Sequence, residues 1–169
     1  MTADELSRLP DDGYRYELVR GQLRRMSPGK EEHGFITGQI HIRLGMWVWP
    51  RNLGRVYSSE TGFRLASNPD TVRCPDVSFV RASTPRQRHD FPPPPDIAFE
   101  VKSPSNTYKE LLEKKDDYLA AGTLAVVIVD PPKKAVTVHR PNGVRTVEDI
   151  LTLDDVLPGW QLPLAELFA

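Results

Sequence analysis

Along the 169-residue chain the spacing of apolar positions switches repeatedly between the periods of helix and strand. Thr2-Ala3-Asp4-Glu5 has the Thr-x-x-Glu form of a capping box and predicts a short helix that stops at Pro10. YRYELV alternates, Arg20-Gly21 turns the chain and QLRRM returns, which predicts an N-terminal β-hairpin. From Glu31 to Pro50, the positions Phe35, Ile36, Ile40, Leu44, Trp47 and Val48 recur near helical spacing, and the proline ends the helix. GRVYSSE, GFRLA and CPDVSFV read as short strands between turn residues, followed by a polar, proline-rich loop over 81–95. DIAFEVK is the next strand. Thr107 and Glu110 form a second capping box at the head of a helix that ends at Gly122. LAVVIVD is continuously apolar, as in a strand covered on both faces. AVTVHR and VRTVED, joined through Pro-Asn-Gly, predict a hairpin, and the apolar tail LPGWQLPLAELF is expected to pack back on the body.

The strand at Asp96, the helix after Thr107 and the strand LAVVIVD make a βαβ unit, so those two strands should run parallel. The shorter connections favour antiparallel neighbours. The expected fold is α/β (an α+β mixed sheet) with helices on both faces and an N-terminal hairpin, in a single domain over 1–169. Composition narrows the setting. One cysteine, Cys74, allows no internal disulfide and suits a reducing compartment. The acidic N-terminus lacks the apolar core of a signal peptide, and LGMWVW and LAVVIV are too short to span a bilayer. A cytoplasmic protein with no membrane contact is expected. A net charge of −1 means that any grip on nucleic acid must come from a local patch.

The strand DIAFEVK raises the chemical question. Alternation puts Ile97, Phe99 and Val101 on one face and Asp96, Ala98, Glu100 and Lys102 on the other. The preceding strand divides the same way, Val77 and Phe79 against Asp76 and Ser78. If the two strands pair, Asp76 and Glu100 sit side by side. Adjacent carboxylates repel unless a cation lies between them, and Mg²⁺ is bound through one or two carboxylates, water and substrate phosphate. A lysine on the same face can orient a water and offset charge building on a phosphate. The chemistry this suggests is metal-assisted hydrolysis of a phosphodiester. Plainer readings compete: Asp76 as a turn residue after proline, Glu100 with Lys102 as a weak exposed pair, and Asp96 as a solvated strand-entry residue held in reserve for Asp76.

Pro75-Asp76 followed 24 residues later by Glu100-Val101-Lys102 resembles the signature of the PD-(D/E)XK nuclease superfamily. The segments YELVRGQL, EEHG, GRVYSSETGFRL, DTVRCPDVSFV, DIAFEVKSPSNT, EKKDDYLAAG, VVIVDP, VTVHRPNG and DVLPGWQLPLAELF, in this order, resemble a family of small bacterial restriction-endonuclease-like proteins from about Tyr14 to Phe168. The resemblance implies a restriction-endonuclease-like core, a Mg²⁺ site that Mn²⁺ can also fill, DNA as partner, and often a homodimer. Asp76 and Glu100 match the metal carboxylates, the Val101 carbonyl a further ligand, and Lys102 the motif lysine. In many relatives a lysine on the following helix replaces the latter, and Lys114 stands at that place. Glu60, His33 and Glu17 match family-typical positions of less defined role.

Each also has a plain reading: Lys114 and Lys115 as helix-surface lysines, Glu17 on a solvated strand face, Glu60 as a turn cap, His33 as a helix-start residue and His41 as structural or surface. Arg20, Arg24, Arg25 and Lys30, and Arg81, Arg86, Arg88 and His89, are candidate phosphate contacts or ordinary surface charge. The expected activity is a Mg²⁺-dependent endonuclease hydrolysing DNA with a metal-activated water. The alternatives are a non-catalytic nucleic-acid or protein-binding module that keeps the fold, and a metal-dependent hydrolase of small phosphoesters.

Overall fold

A computed structural model of the protein describes residues 1–85 and 91–169. Arg86, Arg88 and His89 of the proline-rich loop therefore lie outside the described residues. The chain opens with helix α1 (Ala3–Ser7), whose capping box is complete: Glu5 N donates to Thr2 Oγ1 at 3.2 Å and Thr2 N donates to Glu5 Oε2 at 2.7 Å. Strands β1 (Tyr16–Val19) and β2 (Gln22–Arg25) form the expected hairpin. Its two turn residues, Arg20 and Gly21, both take positive φ, 49° and 77°, which matches the twist of the flanking strands. Helix α2 (Glu31–Val48) follows, then β3 (Gly54–Ser58), β4 (Phe63–Ala66), β5 (Thr71–Arg73), β6 (Val77–Arg81) and β7 (Ile97–Val101). Helix α3 (Tyr108–Ala120) begins at the Thr107–Glu110 capping box and leads to β8 (Ala125–Asp130). The hairpin of β9 (Ala135–Arg140) and β10 (Gly143–Val147) comes next, and then β11 (Ile150–Thr152), β12 (Gln161–Pro163) and α4 (Leu164–Leu167).

The main sheet has six strands in the order β10-β9-β8-β7-β6-β3. β7 and β8 are parallel, joined by the α3 crossover, and every other pairing in it is antiparallel. Ile97, Phe99 and Val101 point into the larger core with Ile36, Ile40, Leu44 and Val48 of α2 and with the tail residues Trp160, Leu162 and Leu167. Ala98 and Val126 meet Tyr118 of α3 on the opposite face. This is a mixed sheet between helices, the restriction-endonuclease-like arrangement.

Two features depart from the sequence reading. The N-terminal hairpin does not join the main sheet but belongs to a second, antiparallel sheet in the order β2-β1-β5-β4. Its member β5 has only three residues, too few for an alternation to be read. The tail packs back as expected, and it does so as a two-stranded ribbon with a terminal helical turn. No helix among the described residues is long and apolar enough to cross a membrane.

Candidate active site

β6 and β7 pair so that Val77 lies opposite Phe99, which carries Asp76 alongside Glu100. The Asp76 amide donates to the Phe99 carbonyl at 3.0 Å, and Asp76 Oδ2 accepts from the Val101 amide at 2.7 Å. The aspartate is thus fixed by main chain at both ends, just where the β6–β7 pairing ends. Glu100 projects to the α3 side and is 2% exposed. Its Oε1 accepts from Tyr118 Oη at 2.9 Å, and its Oε2 lies 3.2 Å from Lys114 Nζ. Lys114 is also buried, though less completely, and reaches Glu17 Oε1 at 2.9 Å. Glu17 also accepts from the Cys74 amide and from Arg73 Nη1, at 3.0 and 2.9 Å, and Arg73 continues to Asp117 of α3 at 2.6 Å. The result is a chain of alternating charge, Glu100–Lys114–Glu17–Arg73–Asp117, buried except at its Asp117 end, that ties the second sheet to the main one. Buried ions persist only when paired and hydrogen-bonded in this way.

These groups surround a cavity of about 210 Å³. Glu17, His33, Arg73, Asp76, Glu100, Val101 and Lys114 line it, and Arg15, Arg24 and Arg25 close its rim from the hairpin side. His33, in the first turn of α2, places Nε2 3.2 Å from Asp76 Oδ2. That hydrogen bond raises the imidazole above its ordinary pKa despite partial burial. Burial, reinforced by the Asp76 and Glu17 charges, pushes the Glu100 carboxyl up to about 7 against the pull of Lys114. Burial works to lower the pKa of the Lys114 ammonium, but Glu100 and Glu17 outweigh it and hold it above its usual range. Glu17 goes the other way: Lys114 and Arg73 overcome its desolvation and keep it below the usual carboxylate range.

The structure thus brings together Asp76, Glu100, Val101, Lys114, His33 and Glu17. It does not bring Lys102 to the cavity. Strand pairing ends at Val101, Lys102 donates its amide to the Val129 carbonyl at 2.8 Å, and the residues on either side line the cavity while Lys102 does not. Glu60 stands at the outer edge, mostly exposed, where Oε1 accepts from Arg15 Nη1 at 3.1 Å. Asp96 is at the far end of β7 and caps the Arg81 amide and guanidinium. Arg73 and Tyr118 were not singled out from the sequence. The signal for Tyr118 was present: Leu111, Lys114 and Tyr118 follow the 3-4 spacing of one helix face and are its buried residues. Arg73 carried none beyond a charge inside a short strand.

The donor set suits a hard divalent cation. Asp76 and Glu100 offer carboxylate oxygens, with the Val101 main chain beside them, and Mg²⁺ takes one or two carboxylates of this kind. Among the described residues no three His, Cys, Asp or Glu side chains cluster as a metal site.

A mixed sheet between helices, with paired carboxylates where the β6–β7 pairing ends and a buried lysine from the crossover helix, is the arrangement of a restriction-endonuclease-like fold. The family model for Uma2, described as "Putative restriction endonuclease", matches residues 3–165, and the chain belongs to that family. The crystal structure of "a putative nuclease belonging to DUF820" from Anabaena variabilis is similar at a TM-score of 0.87. The two chains are 21% identical, and the match covers 99% of this chain and 97% of that one, a likeness of fold. No curated protein matches the chain.

Proposed function

We propose that the protein is a Mg²⁺-dependent endonuclease that hydrolyses phosphodiester bonds of DNA at the Asp76–Glu100 cavity. The observation that carries this is the convergence of two carboxylates and one buried ammonium in a cavity with an arginine rim. Asp76 and Glu100, with the Val101 carbonyl, would hold the cation, with Mn²⁺ as a substitute. When bound, such an ion polarises a phosphoryl oxygen and lowers the pKa of water. The chain's own groups do the rest. Val101 N and His33 Nε2 fix the Asp76 carboxylate. Lys114 Nζ, held by Glu17, is placed to donate to a non-bridging phosphate oxygen as its charge grows. We assign the working lysine to Lys114 rather than Lys102 on that position. Water oxygen bonds to phosphorus and gives up a proton to solvent, the bond to one sugar oxygen breaks, and that oxygen takes up a proton from solvent as it leaves. Arg15, Arg24 and Arg25 supply the local positive patch that a chain of net charge −1 needs to grip a phosphate backbone.

Nicking of supercoiled plasmid with and without Mg²⁺ tests this. Glu100→Ala and Asp76→Ala should each abolish Mg²⁺-dependent nicking while the protein stays folded. Cleavage retained by both variants would remove the site assignment. Calorimetry showing no Mg²⁺ or Mn²⁺ uptake that depends on these two residues would instead favour a module that binds without cutting.

A further inference from the structure

Tyr118 is a fully buried side chain to which the proposed reaction gives no part. It stands on α3 one turn after Lys114. Its ring packs with Ala98 of β7 and Val126 of β8, in the small cluster between helix and sheet. That packing accounts for an aromatic ring but not for a phenol. Phenylalanine would fill the same space with no hydroxyl to desolvate, and a buried hydroxyl is costly unless it finds a partner. Among the described residues the Tyr118 hydroxyl has one hydrogen-bond partner, Glu100 Oε1, to which it donates at 2.9 Å.

The two side-chain donors to Glu100 lie four residues apart on one helix face and take different oxygens. Lys114 Nζ is 3.2 Å from Oε2, while Tyr118 Oη meets Oε1. A carboxylate held at both oxygens is fixed about its terminal bond, and each oxygen keeps a lone pair for a further partner. Lys114 is the less dedicated of the two donors. Its ammonium is shared with Glu17 at 2.9 Å, it lines the cavity, and in the proposed reaction it also serves the phosphate. Tyr118 does not line the cavity, so its effect on the site runs through Glu100. From this we infer that Tyr118 is a positioning residue, whose hydroxyl holds the Glu100 carboxylate in place for a divalent cation shared with Asp76 and keeps it there while Lys114 engages the substrate. Asp76 is served in the same manner by the Val101 amide at 2.7 Å, so each carboxylate of the pair has a fixed donor of its own. The inference rests on the reading of Asp76 and Glu100 as the cation's ligands.

Calorimetric titration of the full chain with Mn²⁺ and with Mg²⁺ tests this. Tyr118→Phe removes the hydroxyl and keeps the ring, so the fold should stay, which far-UV circular dichroism and thermal melting of the metal-free protein check. Loss of the hydrogen bond that orients a metal-binding carboxylate should raise the dissociation constant about 10–100-fold. Tyr118→Leu also lacks the hydroxyl and should show the same loss, which makes the result independent of how well one substitute packs. In nicking assays the Mg²⁺ concentration that gives half the maximal rate should rise by the same factor.

A residue that only packs would lower the melting temperature and leave the dissociation constant where it was. An affinity within about twofold of wild type in a folded variant, far below the effect expected of such a partner, would therefore overturn the inference and leave the proposed function standing. A wild-type chain that takes up neither ion would remove the metal reading itself and the inference with it. The two failures are distinct, because the second shows in the wild-type titration alone.

Discussion

Replacing Arg73 with methionine isolates the charge chain that joins the two sheets. Arg73 is 3% exposed and bridges Glu17 Oε2 at 2.9 Å and Asp117 Oδ2 at 2.6 Å. Methionine fills much of the same space without the charge. Removing one partner of a buried pair costs about 3–5 kcal/mol, because the other ion is left uncompensated. The lower end applies here. Glu17 keeps Lys114 and the Cys74 amide, and Asp117 lies near enough to the surface to regain water, with Arg20 3.8 Å away. A loss of about 3 kcal/mol lowers the melting temperature of a chain this long by roughly 6–12 °C.

The pH dependence gives a sharper reading of the same variant. Lys114 and Arg73 hold the Glu17 carboxyl below its ordinary value in the folded state. Pairing therefore stabilises above the unfolded value of about 4.3 and is lost as pH falls through the folded value. The gap between wild type and Arg73→Met should be full at pH 7 and shrink below about pH 4, measured by chemical denaturation at each pH. A variant within 0.5 kcal/mol of wild type at pH 7, on the ordinary scale of a neutral surface change, would refute the account of Arg73 as a cation that makes burial of Glu17 tolerable. A gap that widens on acidification would refute the sign.

Two further outcomes follow from the same geometry. Lys114→Ala should abolish nicking and Lys102→Ala should leave most of it, since only the first lysine lines the cavity; single-turnover cleavage assays of both variants decide between them. Asp70 accepts from the Ala3 amide at 2.7 Å and from Arg64, which pins α1, and these bonds hold its carboxyl below the usual range. Asp70→Asn should cost about 1–2 kcal/mol by the scale of charge-assisted hydrogen bonds. That stabilisation is present above the unfolded carboxyl value and is lost as pH falls through the folded one, so the amide protection factors of residues 3–7 should fall in acid before those of the main sheet.

The parts of the site that the sequence disclosed are those governed by one local rule. Asp76 and Glu100 come together because two strands close in sequence pair antiparallel, and a period of two then decides which side chains share a face. Both capping boxes were readable because a cap involves residues three apart. Lys102 shows where that rule stops: alternation assigns it to the Glu100 face only while the strand continues, and pairing ends one residue before it. Glu17 and Lys114 show what no local rule reaches. They lie 97 positions apart in the chain, and each alone looks like a surface charge. Their contact exists because the N-terminal hairpin pairs with the three-residue β5 and so brings β1 over the α3 side of the main sheet. The pair Asp76–Glu100 is thus a property of one sheet, whereas the lysine beside it is held in place by a second. A substitution that frees the hairpin should therefore disable the site without touching either carboxylate.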